Sequence, residues 1–266
     1  MTERLPALFL GHGSPMTVMS DVPERRALEA LGHALPRPRA ILVISAHWET
    51  QDAIHLTAAD SPRTIHDFRG FPDELYAIHY GAPGSAWLVD RVAALLDADR
   101  VVRDESYGFD HGSWGVVRPM FPDADVPLVE MSIDRGLTFA EHLALGTALA
   151  PLREEGVLLI GSGNIVHNLA MWRETAGTRP KWAVEFGQRI VEAIIADDRE
   201  ALSGFSRYDR SAALAVNEAE HYIPLLYAVG ARLPGDEIAI FNDTLDGALS
   251  MTSVLIGDVA IVPVVA

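Results

Sequence analysis

Apolar residues along this chain gather in short, nearly unbroken runs at 7–10, 40–45, 53–57, 127–133, 157–161, 237–241 and 250–256. Runs of this length, rich in Val, Ile and Leu, read as strands buried on both faces. Between several of them the apolar positions change to helical spacing, at 23–33, 84–96, 139–153, 181–196 and 218–229. In 181–196, Trp182, Phe186, Ile190, Ala193 and Ile194 fall on one stripe while Glu185, Arg189 and Glu192 lie off it. Strands alternating with helices predict an α/β fold with a largely parallel or mixed central sheet flanked by helices. No linker, low-complexity tract or internal repeat interrupts the pattern, so residues 1–266 read as one catalytic domain with its core at about 7–257. The longest stretch without an evident element is 58–82, rich in Pro, Gly, His and aromatic residues, and loops this long are usually functional.

Composition narrows the partners. With 37 acidic and 21 basic residues the formal charge is -16, which argues against nucleic acid or an anionic membrane. No apolar run approaches the ~20 residues that span a bilayer, and residues 1–6 enter the first strand without a signal-like segment, so the cytoplasm is the expected compartment. A monomer or small homo-oligomer is expected. The absence of cysteine removes disulfides, thiolate nucleophiles and Cys-type metal sites. Any metal must be held by His, Asp, Glu and water, which suits iron, manganese or zinc.

Three of the ten histidines stand where three different apolar runs end. His12 follows 7–10 between Gly11 and Gly13, His47 follows 40–45, and His167 lies just beyond 157–161 and Gly161-Ser162-Gly163-Asn164. Ligands in open α/β sheets collect beyond the carboxyl ends of the strands, so these imidazoles are candidates for one mononuclear metal site. The bland alternatives are a turn histidine at 12 and a strand-end histidine packed on Trp48 at 47. The glycine-rich turn after 157–161 resembles a phosphate-cradling loop but lacks the G-x-G-x-x-G spacing. His111 lies in Gly108-Phe109-Asp110-His111-Gly112, a tight loop in which Asp110 is placed to orient the ring. His221 precedes Pro224 at the start of an expected amphipathic helix, with Glu218 and Glu220 as partners of the helix dipole. His33, His55 and His142 read as ordinary strand or helix residues.

Six segments in order carry a resemblance: Leu10-Gly11-His12-Gly13-Ser14-Pro15, Ser45-Ala46-His47-Trp48, His66-Asp67-Phe68 with Gly70-Phe71-Pro72, residues 108–115, residues 163–169, and Glu220-His221-Tyr222-Ile223-Pro224. Together they resemble the 4,5-DOPA extradiol dioxygenases, within the class III extradiol ring-cleavage dioxygenases. The resemblance implies an Fe(II) site, in which Zn(II) can replace iron in purified protein, with His12, His47 and His221 as metal ligands. Many class III relatives place a glutamate at the third position. It further implies His167 as the acid–base, able to reach the metal as a fourth ligand, and His111 as a second active-site histidine that binds substrate or assists proton transfer. Substrate and co-substrate would be a small catechol such as DOPA and O2, giving a ring-opened semialdehyde.

Two departures lie in the long loop, Arg69 where glycine is common and Gly81 where proline is common. That loop is expected to wall the substrate pocket, with His66 and Phe68 turned toward the metal and Arg69 placed for a substrate carboxylate. Two other functions fit the same imidazoles: a zinc-dependent hydrolase or amidase, and a catalytically silent metal- or small-molecule-binding relative.

Overall fold

The computed structural model describes residues 4–205 and 209–257. Its strands are β1 (Ala7–Gly11), β2 (Ala40–Thr50), β3 (Ile54–Thr57), β4 (Val101–Asp104), β5 (Leu128–Asp134), β6 (Val157–Gly163), β7 (Glu237–Phe241), the short ribbon β8 (Leu245–Asp246) with β9 (Leu249–Ser250), and β10 (Ser253–Gly257). Eight of them form one sheet in the order β4-β3-β5-β2-β6-β1-β10-β7. The middle four, β5, β2, β6 and β1, are mutually parallel, and β3 and β10 join them antiparallel. The sheet is therefore mixed, with a parallel centre whose carboxyl ends all open on one edge.

The helices are α1 (Pro23–Ala34), α2 (Asp73–Tyr76), α3 (Ala86–Leu96), α4 (His111–Met120), α5 (Phe139–Leu149), α6 (Leu169–Thr175), α7 (Lys181–Ala196), α8 (Arg199–Ser203), α9 (Arg210–Ala215) and α10 (Ile223–Gly230). Because successive strand residues point to opposite faces, each run feeds two cores. Leu8, Leu10, Ile41, Val43, Leu158 and Ile160 pack with α1 and α4, through Leu28, Leu31, Trp114 and Val117. Phe9, Leu42, Ile44 and Leu159 pack with α3, α5, α7 and α10, through Leu88, Leu143, Phe186 and Leu226. Two-sided burial is what makes the runs continuous rather than alternating. Among the described residues, no helix is long and apolar enough to cross a membrane.

Several elements differ from the sequence reading. Helix α7 spans 181–196 as expected, whereas the 139–153 stretch leaves the α-helix at Leu149 and continues as a 3-10 turn, Ala150–Glu155, around Pro151. Residues 218–229 do not form one amphipathic helix. The helix begins at Ile223, and every residue of α10 is buried, wedged between β6 and α5. Gly161-Ser162-Gly163 is not a phosphate loop but the end of β6. Strand β4 and helix α4 carry no clear periodic signal: β4 is a partly exposed edge strand of four residues, and α4 contains Gly112, Gly115 and Pro119.

Candidate metal centre

The registers of three parallel strands place the first imidazoles. Ser162 on β6 is paired with Leu10 on β1 and with Ser45 on β2. His12 and His47 each stand two residues beyond these partners, so they arrive at the same height on either side of β6. Their Nε2 atoms face each other at 3.0 Å. His12 Nδ1 lies 2.9 Å from Ser162 Oγ. His47 is not at a strand end: β2 runs on to Thr50, with its pairing to β5 shifted between Ile44 and Glu49. Trp48 packs away from the site, stacked on Tyr107 with centroids 3.9 Å apart.

His221 comes from the turn leading into α10. Glycine makes that approach possible: a β-carbon at Gly163 would overlap the His221 carbonyl oxygen and lie 3.0 Å from its carbon, and one at Gly161 would lie 2.7 Å from the Pro224 carbonyl carbon. Asn164 then ties the pieces together. Its backbone N–H donates to His221 O (2.8 Å), and its side-chain Nδ2 donates to His12 O (2.7 Å) and Ser250 O (2.8 Å). His221 Nδ1 lies 2.9 Å from Glu220 Oε1. Glu220 is thus an orienting acceptor for this ring, in place of the expected role at a helix N-terminus, because the helix starts two residues after His221.

The remaining two rings flank this trio. His111 is the first residue of α4, and Asp110 is the helix cap, its Oδ1 accepting Ser113 N–H (3.1 Å) and Ser45 Oγ–H (2.7 Å). The expected Asp110–His111 orienting pair is therefore not formed. Asp67 from the long loop takes that part: Oδ2 lies 2.8 Å from His111 Nδ1 and 3.2 Å from His47 Nδ1, while Oδ1 accepts the His111 backbone N–H (3.0 Å). Although burial opposes its ionisation, hydrogen bonding and charge from His111 and His47 pull the Asp67 carboxyl down to about 2. His167 stacks on His221, with centroids 3.4 Å apart and planes within 7°.

The donor chemistry suits a cation. Glu220, as an acceptor 2.9 Å from His221 Nδ1, places the proton there and leaves Nε2 with a lone pair, while Asp67 Oδ2 stands 3.2 Å from His47 Nδ1 as a nearby negative charge. Burial, reinforced by the neighbouring histidines, pushes His12 and His221 well below the usual imidazole range; burial also lowers His47 and takes His167 to about 4. Neutral rings with converging lone pairs are the form that binds a metal. His12, His47 and His221 offer ligand atoms all within 4.8 Å of one another, and His167 is grouped with Glu220 and His221.

A cavity of about 470 Å³ opens over these rings, lined by His12, His47, His111, His167 and His221 with Phe68, Phe71, Leu169, Trp172 and Leu249 among its walls. Of the expected loop residues, Phe68 reaches it. His66 does not line it: the ring turns to the Ile78 carbonyl, 3.0 Å from Nε2. Arg69 is exposed and also outside the lining, one residue before the chain reverses at Gly70, with φ +80°. Asp67, Ser162, Asn164, Phe71, Trp172 and Leu249 were not singled out from sequence. Only Asp67, beside a histidine in an aromatic loop, carried a local signal.

The family model described as the catalytic LigB subunit of aromatic ring-opening dioxygenase matches residues 6–244. The chain is 45% identical over 263 residues to 4,5-DOPA dioxygenase extradiol of Escherichia coli K12, covering 96% of each. It is 36% identical to the protein of the same name from Beta vulgaris, covering 91% of this chain and 92% of that one. The crystal structure of an uncharacterized protein of Escherichia coli K12 superposes with a TM-score of 0.82 at 40% identity, covering 96% of this chain and all of the other. With the match spanning nearly the whole sheet and all five clustered histidines, the chain belongs to the LigB family of aromatic ring-opening dioxygenases.

Proposed function

We propose that this enzyme cleaves a catechol beside its diol, with Fe(II) held by His12, His47 and His221. The observation that carries the reading is the convergence of those three ring nitrogens beneath an aromatic-walled cavity, with Glu220 hydrogen-bonded to His221 from behind and Asp67 close to His47. When bound, iron supplies the redox chemistry by which a catechol and O2 combine. Both oxygen atoms enter the ring-opened semialdehyde, and no external reductant is consumed.

The protein's own groups supply the proton handling and the orientation. A catechol hydroxyl, like a phenol, ionises near pH 10, so binding at neutral pH needs a base. His167 lines the cavity as the imidazole placed to take that proton and return it to the product, although burial opposes its charged form. His111, its Nδ1–H directed at Asp67, turns its other nitrogen toward the substrate side as a hydrogen-bonding partner for the second hydroxyl. Phe68 stands edge-on to His111 with centroids 5.7 Å apart and gives the catechol ring an aromatic wall.

The test is anaerobic loading with Fe(II), followed by O2 uptake and near-ultraviolet absorbance with a panel of catechols. Stoichiometric O2 consumption with a new semialdehyde chromophore is expected, and none with Zn(II), which has no redox chemistry. Activity with Zn(II) in the absence of O2 would instead support a hydrolase. His167→Ala should retain iron and lose about 10²–10⁴-fold in turnover.

A further inference from the structure

A second, much smaller space adjoins the histidines. It is a narrow crevice of about 20 Å³, room for one water-sized molecule, with His12 and His111 among its walls. Residues 12–15 and His111 line both this crevice and the large cavity, so the loop after β1 is the partition between them. Beyond the partition the crevice is bounded by Val18, by Leu28 of α1, by Gly115 and Val116 of α4, and by Met251. Val18, Leu28, Val116 and the two histidines are buried, whereas Thr17, Glu24 and Asn242 are partly exposed and mark the solvent end.

The polar groups around His12 are spent within the protein. Gly11 N–H donates to Ser253 Oγ (3.0 Å), His12 N–H donates to Gly163 O (3.1 Å), and His12 O accepts from Asn164 Nδ2 (2.7 Å). Both His12 ring nitrogens are directed elsewhere, Nδ1 to Ser162 and Nε2 to His47. That leaves ring carbon, the side chains of Val18, Leu28 and Val116, and the Met251 thioether as the inner surface. Such walls suit a small apolar molecule better than water, which needs about two to four polar partners when buried. Gly115 keeps the space open. It lies one turn after His111 on the same face of α4, and a β-carbon there would meet nothing within 4 Å among the described residues. Helical side chains reach back over the preceding turn, so a side chain at 115 would point toward His111 and fill the crevice. Glycine inside a helix is destabilising relative to alanine, and no close contact demands it here.

We propose that this crevice admits dioxygen to the metal centre, separately from the aromatic substrate. The inference rests on the dioxygenase reading. A catechol seated over the imidazoles occupies the large cavity, so the second substrate needs another approach to the same rings. The crevice supplies one, because it reaches His12 and His111 from the other side of the 12–15 loop. Dioxygen is uncharged and has no hydrogen-bond donor, so it loses little on leaving water for walls of carbon and sulfur. It is also about as narrow as water, whereas a catechol is far too large for the space.

The experiment has two readouts on the parent, Gly115→Ala and Gly115→Leu. The first is methyl NMR of the Zn(II)-loaded protein under O2 pressure, with N2 as the control, since paramagnetic dioxygen speeds the relaxation of nuclei it touches. Methyl groups of Val18, Leu28, Val116 and Met251 should relax faster than those of the buried core residues Leu159 and Ile190, and Gly115→Leu should remove the excess. The second is O2 uptake by the Fe(II)-loaded enzyme at varied O2. Gly115→Leu should lower kcat/KM for O2 by about five-fold or more, the rate equivalent of forcing one extra group into packed space. Anaerobic catechol affinity should be unchanged, and Gly115→Ala should fall between parent and leucine variant. If leucine prevents folding, Gly115→Ala, favoured in a helix, carries both readouts. No excess relaxation at the crevice methyl groups, or a parental kcat/KM for O2 in the filled variants, would overturn the inference. So would a matching loss of catechol affinity, because the added side chain would then act on the large cavity. Absence of turnover with every catechol would instead count against the dioxygenase reading, and the relaxation data would still decide whether the crevice takes dioxygen.

Discussion

Gly112, the second residue of the helix that opens with His111, packs against the strand that carries His47, and its replacement by alanine tests how the centre is held. An ideal β-carbon at residue 112 would lie 2.5 Å from Ser45 Oγ, 2.9 Å from His47 Cδ2 and 3.2 Å from Asp110 Oδ1. Ordinary contacts begin near 3.4 Å, so the His47 ring must withdraw by about 0.5 Å and Ser45 by nearly twice that. Ser45 cannot move freely, because its hydroxyl donates to buried Asp110 at 2.7 Å. Overpacking of this kind costs about 1–3 kcal/mol, partly offset by the roughly 1 kcal/mol that alanine gains over glycine inside a helix. The net loss of stability should be about 0–2 kcal/mol, leaving the protein folded. Metal binding is less tolerant, since a site needs its ligands within about 0.5 Å of the productive geometry. Gly112→Ala should therefore weaken Zn(II) affinity by about 10–100-fold, the range found when support of a ligand is lost. Chelator competition would measure affinity, and urea denaturation of the metal-free protein would measure stability. Gly187→Ala is the control: it lies within α7 with open space around the added carbon, and it should stabilise by roughly 0.5–1 kcal/mol without changing affinity. Wild-type affinity in Gly112→Ala would refute the placement of His47 in the metal set.

Asp67→Asn removes the charge shared by His111 and His47 while keeping the side chain's shape, and should lower both metal affinity, by about ten-fold or more, and turnover; equal values for variant and parent would show that the carboxylate orients neither ring. Glu130, fully buried on β5, is raised well above the usual carboxylate range by burial and by Asp110, so its protonated form is matched by an amide. Glu130→Gln should keep stability within about 1 kcal/mol, whereas Glu130→Ala should lose about 2–4 kcal/mol in urea melts through a cavity and stranded polar groups. His142 is buried against the Tyr227 hydroxyl (3.0 Å) and lowered, chiefly by burial, from 6.5 to about 4. Above pH 6.5 neither state is protonated there; as pH falls toward 4 the unfolded chain takes up a proton that the native state refuses, so stability drops by roughly 2–4 kcal/mol. His142→Gln should flatten that part of the acid limb, and an unchanged difference between urea midpoints at pH 7 and pH 5 would contradict it.

The period of the apolar positions carried the α/β class, the two-sided burial of the central strands and the full extent of helix α7. It carried these because strand and helix periodicity are local properties that burial writes directly into neighbouring residues. His12 and His47 were legible as a pair for the same reason: each follows an apolar run, and parallel strands bring their carboxyl ends to one edge. The strand order, with β6 between β1 and β2, was not legible. It rests on registers between residues more than a hundred apart, such as Leu10 with Ser162, and only those registers set the two imidazoles at one height. The partners of the rings were decided in three dimensions too. Asp110 is next to His111 in sequence, yet the helix cap claims its carboxylate, and Asp67, forty-four residues earlier, orients the ring instead. Glu220 looked like a helix-dipole partner because the sequence does not reveal that α10 starts at Ile223 and is buried all round. The aromatic loop announced a cavity wall by composition alone, but which of its side chains face inward depends on the turn at Gly70 and on the Ile78 carbonyl that takes His66. Leu169, Trp172 and Leu249 complete that wall from elements that only folding brings opposite the loop.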